Sequence, residues 1–264
     1  MLDVNNINKT FDPGTPIENH VLRGVSLHLN QGDYVTVIGG NGAGKSTLLN
    51  MVAGTYLPDT GTINVGGVNL THLPEYRRAK YLGRVFQDPK AGTAADMSIE
   101  DNLALANRRG KKRGFRWYLT NKERELFRER LSALDLGLEN RLADKVGLLS
   151  GGQRQALALV MATLKTPHVL LLDEHTAALD PKTAPKLLET GNKIIEDFNL
   201  TTLMVTHNMK DAIKHGNRLI MMSKGNIILD VSGEDKKKLT VEDLIAAFNR
   251  ASGEEFSDDK ALLG

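Results

Sequence analysis

The residues that promise chemistry most directly are Gly39-Gly40-Asn41-Gly42-Ala43-Gly44-Lys45-Ser46-Thr47. They follow the apolar run Tyr34-Val35-Thr36-Val37-Ile38 and open onto Leu48, Leu49, Met51 and Val52, which share one face of a helix. Glycines let successive backbone N–H groups curve around an anion, and a helix N-terminus adds the positive end of its dipole. Lys45 supplies a point charge for β- and γ-phosphates, and the Ser46 hydroxyl a ligand for Mg²⁺. A turn that only reverses the chain has no need of lysine and serine in register with a strand before it and a helix after it. The stretch reads as a cradle for a nucleoside triphosphate.

Two other apolar runs end in reactive side chains. Val169-Leu170-Leu171-Leu172 is apolar throughout, as a strand covered on both faces is, and it leads into Asp173-Glu174. Thr202-Leu203-Met204-Val205-Thr206 leads into His207. Ligands of open α/β sheets bind beyond the carboxyl ends of the strands, so three neighbouring parallel strands would gather these groups at one phosphate. There Asp173 would hold Mg²⁺ directly or through water, and Glu174 would orient and deprotonate an attacking water. His207 by itself reads equally as a structural histidine or as a contact to the γ-phosphate or water. His20, His28, His72, His168, His175 and His215 have no comparable setting and read as structural or exposed.

The elements needed to position these groups are visible along the chain. Residues 2–9 and 21–29 read as strands around the turn-rich Asp12-Pro13-Gly14-Thr15-Pro16, with Phe11, at a strand end, more in keeping with core than with a ligand. Thr62-Ile63-Asn64-Val65 before Gly66-Gly67 predicts a hairpin, and Arg84 to Asp88 a strand that breaks at Pro89. From about residue 73 to 138 the pattern turns helical: Ser98-Ile99-Glu100-Asp101 and Thr120-Asn121-Lys122-Glu123 both have capping-box form. Leu187, Leu188, Ile194, Ile195 and Phe198 predict a helix after Pro181, and Val241, Leu244, Ile245 and Phe248 a final amphipathic one. Residues 108–117, with Arg108, Arg109, Lys111, Lys112, Arg113 and Arg116 beside Phe115 and Trp117, admit a solvated loop, a patch facing anionic lipid, or a nucleic-acid contact.

Composition narrows the classes. A chain of 264 residues, 41% hydrophobic and 25% charged, suits one large α/β domain or a core with a subdomain. A net charge of only +2 provides no general field for nucleic acid, and none is expected as a partner. Without cysteine there is neither a disulfide nor a thiolate metal site, which suits a reducing compartment. No signal peptide is expected at Met1-Leu2-Asp3-Val4, and no run approaches the roughly 18 apolar residues of a membrane span. Work at a membrane would need a partner.

Leu149-Ser150-Gly151-Gly152-Gln153-Arg154-Gln155 resembles the signature motif of ABC-type ATPases. Around it stand the phosphate loop, Gln87, Leu170 to Glu174, Ala178-Leu179-Asp180 and His207, in matching order from about residue 2 to 230. The resemblance implies a P-loop NTPase core, a mostly parallel sheet with flanking helices, carrying an antiparallel β subdomain and an inserted helical subdomain at about 88–160. The ATPase domain would span 1–250 and a tail 251–264. By resemblance Phe11 stacks on adenine, Gln87 senses Mg²⁺ and the membrane partner, Asp180 touches the other subunit, and His207 clamps the γ-phosphate. Gly39, Asn41, Gly42, Ala43, Gly44, Lys45, Ser46 and Thr47 would hold ATP in one chain, and Ser150, Gly151, Gly152 and Gln153 of a second copy would close over it. Glu174, His207 and Lys45 form the catalytic set, and Ser46, Gln87 and Asp173 the metal set. His175 stands where the family usually has proline, which implies a looser loop after Glu174.

The expected function is ATP hydrolysis powering a bacterial importer of amino acids or similar small solutes. Its partners would be integral membrane permease subunits, a second ATPase subunit and an extracytoplasmic solute-binding protein, at the cytoplasmic face of the membrane. An exporter subunit, or a soluble ABC ATPase of the iron–sulphur assembly type, is the alternative.

Overall fold

The computed structural model of the protein describes residues 1–111 and 119–252. The chain runs β1 (Leu2–Phe11), β2 (Asn19–Leu29), β3 (Tyr34–Ile38), α1 (Lys45–Ala53), β4 (Thr60–Val65), β5 (Val68–Asn69), α2 (Glu75–Arg78) and β6 (Leu82–Val85). Among the described residues three α-helices follow before the next strand: α3 (Ile99–Asn107), α4 (Asn121–Ser132) and α5 (Gly151–Thr163). Then come β7 (Val169–Asp173), α6 (Thr183–Asp197), β8 (Thr202–Val205), α7 (Met209–Lys214), β9 (Arg218–Ser223), β10 (Asn226–Ser232), α8 (Gly233–Lys237) and α9 (Val241–Ser252).

Two sheets form. The smaller is antiparallel in the order β2-β1-β4-β5. The larger has the order β10-β9-β3-β8-β7-β6, parallel from β9 to β6 with β10 folding back along its edge. In its centre β3, β8 and β7 are neighbours, and Val205 pairs with both Val37 and Asp173. The three strand ends expected to carry the chemistry are therefore level with one another.

Apolar residues at nearly every position suit these strands because both sheet faces are covered. Leu170, Leu172 and Met204 point into a cluster with α3, α4, α5 and α6. Val169, Leu171, Leu203 and Val205 point the other way, into a cluster shared by α1 and the antiparallel sheet. The period of two along each strand thus divides the core into two layers. Helix α1 is fixed at its far end by buried Arg78, whose guanidinium donates to Met51 O (2.6 Å) and Val52 O (3.0 Å), a cation at a helix C-terminus. The capping boxes expected at Ser98 and Thr120 are both formed, and a third closes on Ser150.

Two expectations need correction. The strand expected over Arg84 to Asp88 begins earlier and stops at Val85, because the Phe86 carbonyl accepts from buried Gln155 Nε2 (2.7 Å) instead of continuing the sheet. In the basic segment, Arg109 neither floats in solvent nor faces a ligand: its guanidinium donates to Ala162 O and Lys165 O at the end of α5. Residues 112–117 of that segment and 253–264 of the expected tail lie outside the described residues.

Candidate nucleotide site

The phosphate loop leaves β3 at Ile38 and enters α1 through Gly44, whose φ of +98° is a conformation glycine adopts without strain. Gly44 is the N-cap of α1 and, having no side chain, makes no capping hydrogen bond; nor is there an acidic residue in the first turn. The helix therefore presents its first N–H groups with no carboxylate of its own first turn in the way, an arrangement suited to an anion. Asn41, Gly42 and Ser46 are exposed at the tip, Gly39 and Thr47 are half-buried, and Ala43 is buried. Lys45 is buried as well, and its Nζ donates to Gly39 O (2.7 Å) and Gly40 O (3.1 Å). Desolvation pushes this ammonium below its ordinary pKa, and the charges of Glu174 and Asp173 oppose the shift.

The two carboxylates at the end of β7 have different surroundings. Asp173 faces Arg84, with 3.5 Å between Oδ2 and Nη2. Burial raises its carboxyl, Arg84 lowers it, and neighbouring Glu174 raises it again. Glu174 takes a φ of +40°, unusual for a residue with a side chain. Its Oε2 accepts from Gln87 Nε2 at 3.1 Å and lies 3.7 Å from His207 Nδ1. One carboxylate oxygen thus joins groups from the ends of three strands: β6, β7 and β8.

Ser150–Gln153 and Asp180 form a second group. At the start of α5 the Ser150 hydroxyl accepts from Gln153 N (3.3 Å), and Gln153 Oε1 accepts from Ser150 N (3.2 Å). A Cβ on Gly152 would strike the Thr183 methyl, so this turn is seated on the first residue of α6. The Thr183 hydroxyl in turn donates to Asp180 Oδ2 (2.5 Å), the leading reason the Asp180 carboxyl titrates low. Phe11 is on the antiparallel sheet, edge-on to Tyr56 at 5.2 Å between centroids and with Lys9 Nζ 5.5 Å from its ring centre.

A match to the ABC transporter family model spans residues 22–177. The chain belongs to the ABC transporter family. It is 44% identical to a tyrosine transport ATP-binding protein of Clostridioides difficile (strain R20291), over 95% of this chain and all of that one. It is 31% identical to the energy-coupling factor transporter ATP-binding protein EcfA2 of Ligilactobacillus salivarius (strain UCC118), over 85% of this chain and 76% of the relative. Among solved structures it resembles the ATP-binding cassette MJ0796, a dimer in a post-hydrolysis state bound to ADP and Pi. That likeness has a TM-score of 0.75 at 28% identity, covering 88% of this chain and 98% of the other. This ABC-family chain is accordingly an ATP-binding subunit and an ATPase, with a P-loop α/β fold.

Several members of the site escape sequence reasoning. Arg84 bridges Asp173, Asn50 Oδ1 (2.7 Å) and Thr55 Oγ1 (3.1 Å) while its guanidinium covers the Phe86 ring. An arginine within a buried strand is itself a signal, since such residues are rarely buried unless paired. Gln155, which ties α5 to the segment before Gln87, and Tyr56, which braces Phe11, carry no comparable mark.

Proposed function

We propose that the protein energises a bacterial importer of an amino acid or a similar small solute, with Glu174 as general base for ATP hydrolysis. The observation that carries the catalytic part is the convergence of Gln87 and His207 on a single Glu174 oxygen, at strand ends level with the phosphate loop. A carboxylate so fixed can orient a water and take its proton, while His207 and Lys45 hold charge at the terminal phosphate.

Mg²⁺ suits the oxygens available. Among the described residues no group of three or more His, Cys, Asp or Glu could hold a metal. Ser46, Gln87 and Asp173 instead offer a hydroxyl, an amide and a carboxylate, the sparse set from which Mg²⁺ is held when phosphates and water complete its shell. Bound there, the ion would neutralise charge on the phosphates.

The signature turn is proposed to serve a second copy of the chain. Ser150, Gly151, Gly152 and Gln153 would close over ATP held by the partner, with Asp180 beside them, and Phe11 would stack on the adenine. Among the described residues no helix is long and apolar enough to cross a membrane. Transport would therefore use separate permease subunits at the cytoplasmic face of the membrane and a solute-binding protein outside. The helical segment about 88–160, tied to the Gln87 loop through Gln155, would pass motion to the permease. The relative named for tyrosine transport supports an amino-acid cargo.

The test is purification from detergent-solubilised membranes together with uptake of radiolabelled tyrosine and other amino acids by a deletion strain. Recovery of an integral membrane protein and loss of amino-acid uptake are expected. Recovery of soluble partners alone, with uptake unchanged, would overturn the importer reading.

A further inference from the structure

The final helix reaches the phosphate loop. Thr240 caps α9, its hydroxyl accepting from Asp243 N (3.2 Å) and its own N–H donating to Asp243 Oδ2 (3.0 Å). The helix then lays Leu244, Ile245 and Phe248 on Ile38, Met209 and Met221. Ile38 is the last residue before the loop. One turn beyond Leu244, the Phe248 ring meets the loop itself: a Cβ built on Gly40 would lie 3.0 Å from its Cζ and 3.4 Å from its Cε2. Gly40 does not have positive φ, unlike Gly39, Gly42 and Gly44, so here the ring, and not the backbone conformation, is what a side chain would meet. The carbonyl of this same Gly40 accepts from Lys45 Nζ.

We propose that Phe248 is a positioning residue for the nucleotide site: its ring is seated on Gly40 and fixes the carbonyl against which the Lys45 ammonium is held. Helix α9 thereby sets the affinity for ATP. The physical reason is that close-packed groups transmit displacement, and a loop of glycines has few side chains of its own to hold its shape. Removing the ring leaves Gly40 free to shift and lets Lys45 follow it, which weakens capture of the phosphates without touching Glu174. The inference rests on reading Gly39 to Thr47 as the phosphate cradle and is independent of the cargo.

The experiment is a double-mutant cycle on the full chain, with MgATP binding by calorimetry, steady-state ATPase kinetics and a thermal melt for every variant. Phe248→Ala should weaken ATP binding and raise KM by about fivefold, with kcat within about twofold, and Phe248→Leu should restore most of the affinity. Gly40→Ala should weaken binding in the natural background and cost less when Phe248 is already alanine. Additive losses, or unchanged ATP affinity in a folded Phe248→Ala protein, overturn the proposal. If Phe248→Ala does not fold, the same cycle with Phe248→Val, which also removes the ring, decides between coupling and additivity. Lys45→Ala is the control for the cradle: natural affinity in that variant defeats the cradle reading, whereas lost affinity with an additive cycle defeats the Phe248 proposal alone.

Discussion

Helices α1 and α5 both begin at glycines, and their N-termini differ. Helix α1 starts at a glycine that offers no capping side chain. Helix α5 starts with a closed capping box, Ser150 and Gln153 satisfying each other's backbone. The first has donors waiting for an anion and a buried lysine beside them. The second has its Ser150 and Gln153 N–H groups already satisfied, so a phosphate that uses either must share or displace those hydrogen bonds. The difference suits the proposed division of labour, in which one end would bind nucleotide by itself and the other would close only when another subunit delivers one. Residues 174–180 join the two regions, with Glu174 at one end of the segment and Asp180 at the other.

The largest expected effect comes at the end of the joining segment that faces the first region. Glu174→Gln should lower phosphate release by about a thousandfold while ATP binding persists, since it removes the proposed base and leaves the cradle intact. Gel filtration with ATP should then show a trapped dimer, and a monomer alone would count against the shared closure. The joining segment should show itself in acid. Burial, and after it the charge of His215, pushes His175 from an ordinary 6.5 down to about 4. The unfolded chain therefore takes up that proton first, and stability is lost as pH falls from 6.5 towards 4, by up to about 3 kcal/mol. Denaturant melts across that range should show the loss, and His175→Gln should flatten it.

Lys45→Ala should weaken ATP binding by about a hundredfold in calorimetry, because it removes the charge proposed to pair with the phosphates. Ser150→Ala is the mildest in stability, at about 1 kcal/mol for a lost cap. Its effect on turnover sharpens the comparison. If the turn serves only to cap α5, ATPase activity of the folded variant will stay near natural; if it closes over a partner's nucleotide, activity will fall although the melt has hardly moved.

Much of this was legible along the chain. Strand, loop and helix around Lys45 follow from pattern alone, as do the capping boxes, because their determinants lie within a few residues of one another. The position of Gln87 was less legible. Its strand stops at Val85 because Gln155, far along the sequence, takes the Phe86 carbonyl. Arg109 looked like part of a surface patch because six basic residues cluster there, yet it closes the end of α5 more than fifty residues away. Sequence adjacency reports composition, whereas the carbonyls that need a partner belong to distant elements.

The amino-acid sequence by itself determined the local devices: the phosphate cradle, the three reactive strand ends and the helix caps. Their physics is set by side-chain type, glycine conformation and hydrogen bonds of short reach. Only the tertiary structure decided that β3, β8 and β7 lie side by side, that Arg84 faces Asp173, and that Phe248 rests on Gly40. Those facts depend on how buried faces choose their neighbours, a property of the whole core that no short stretch contains.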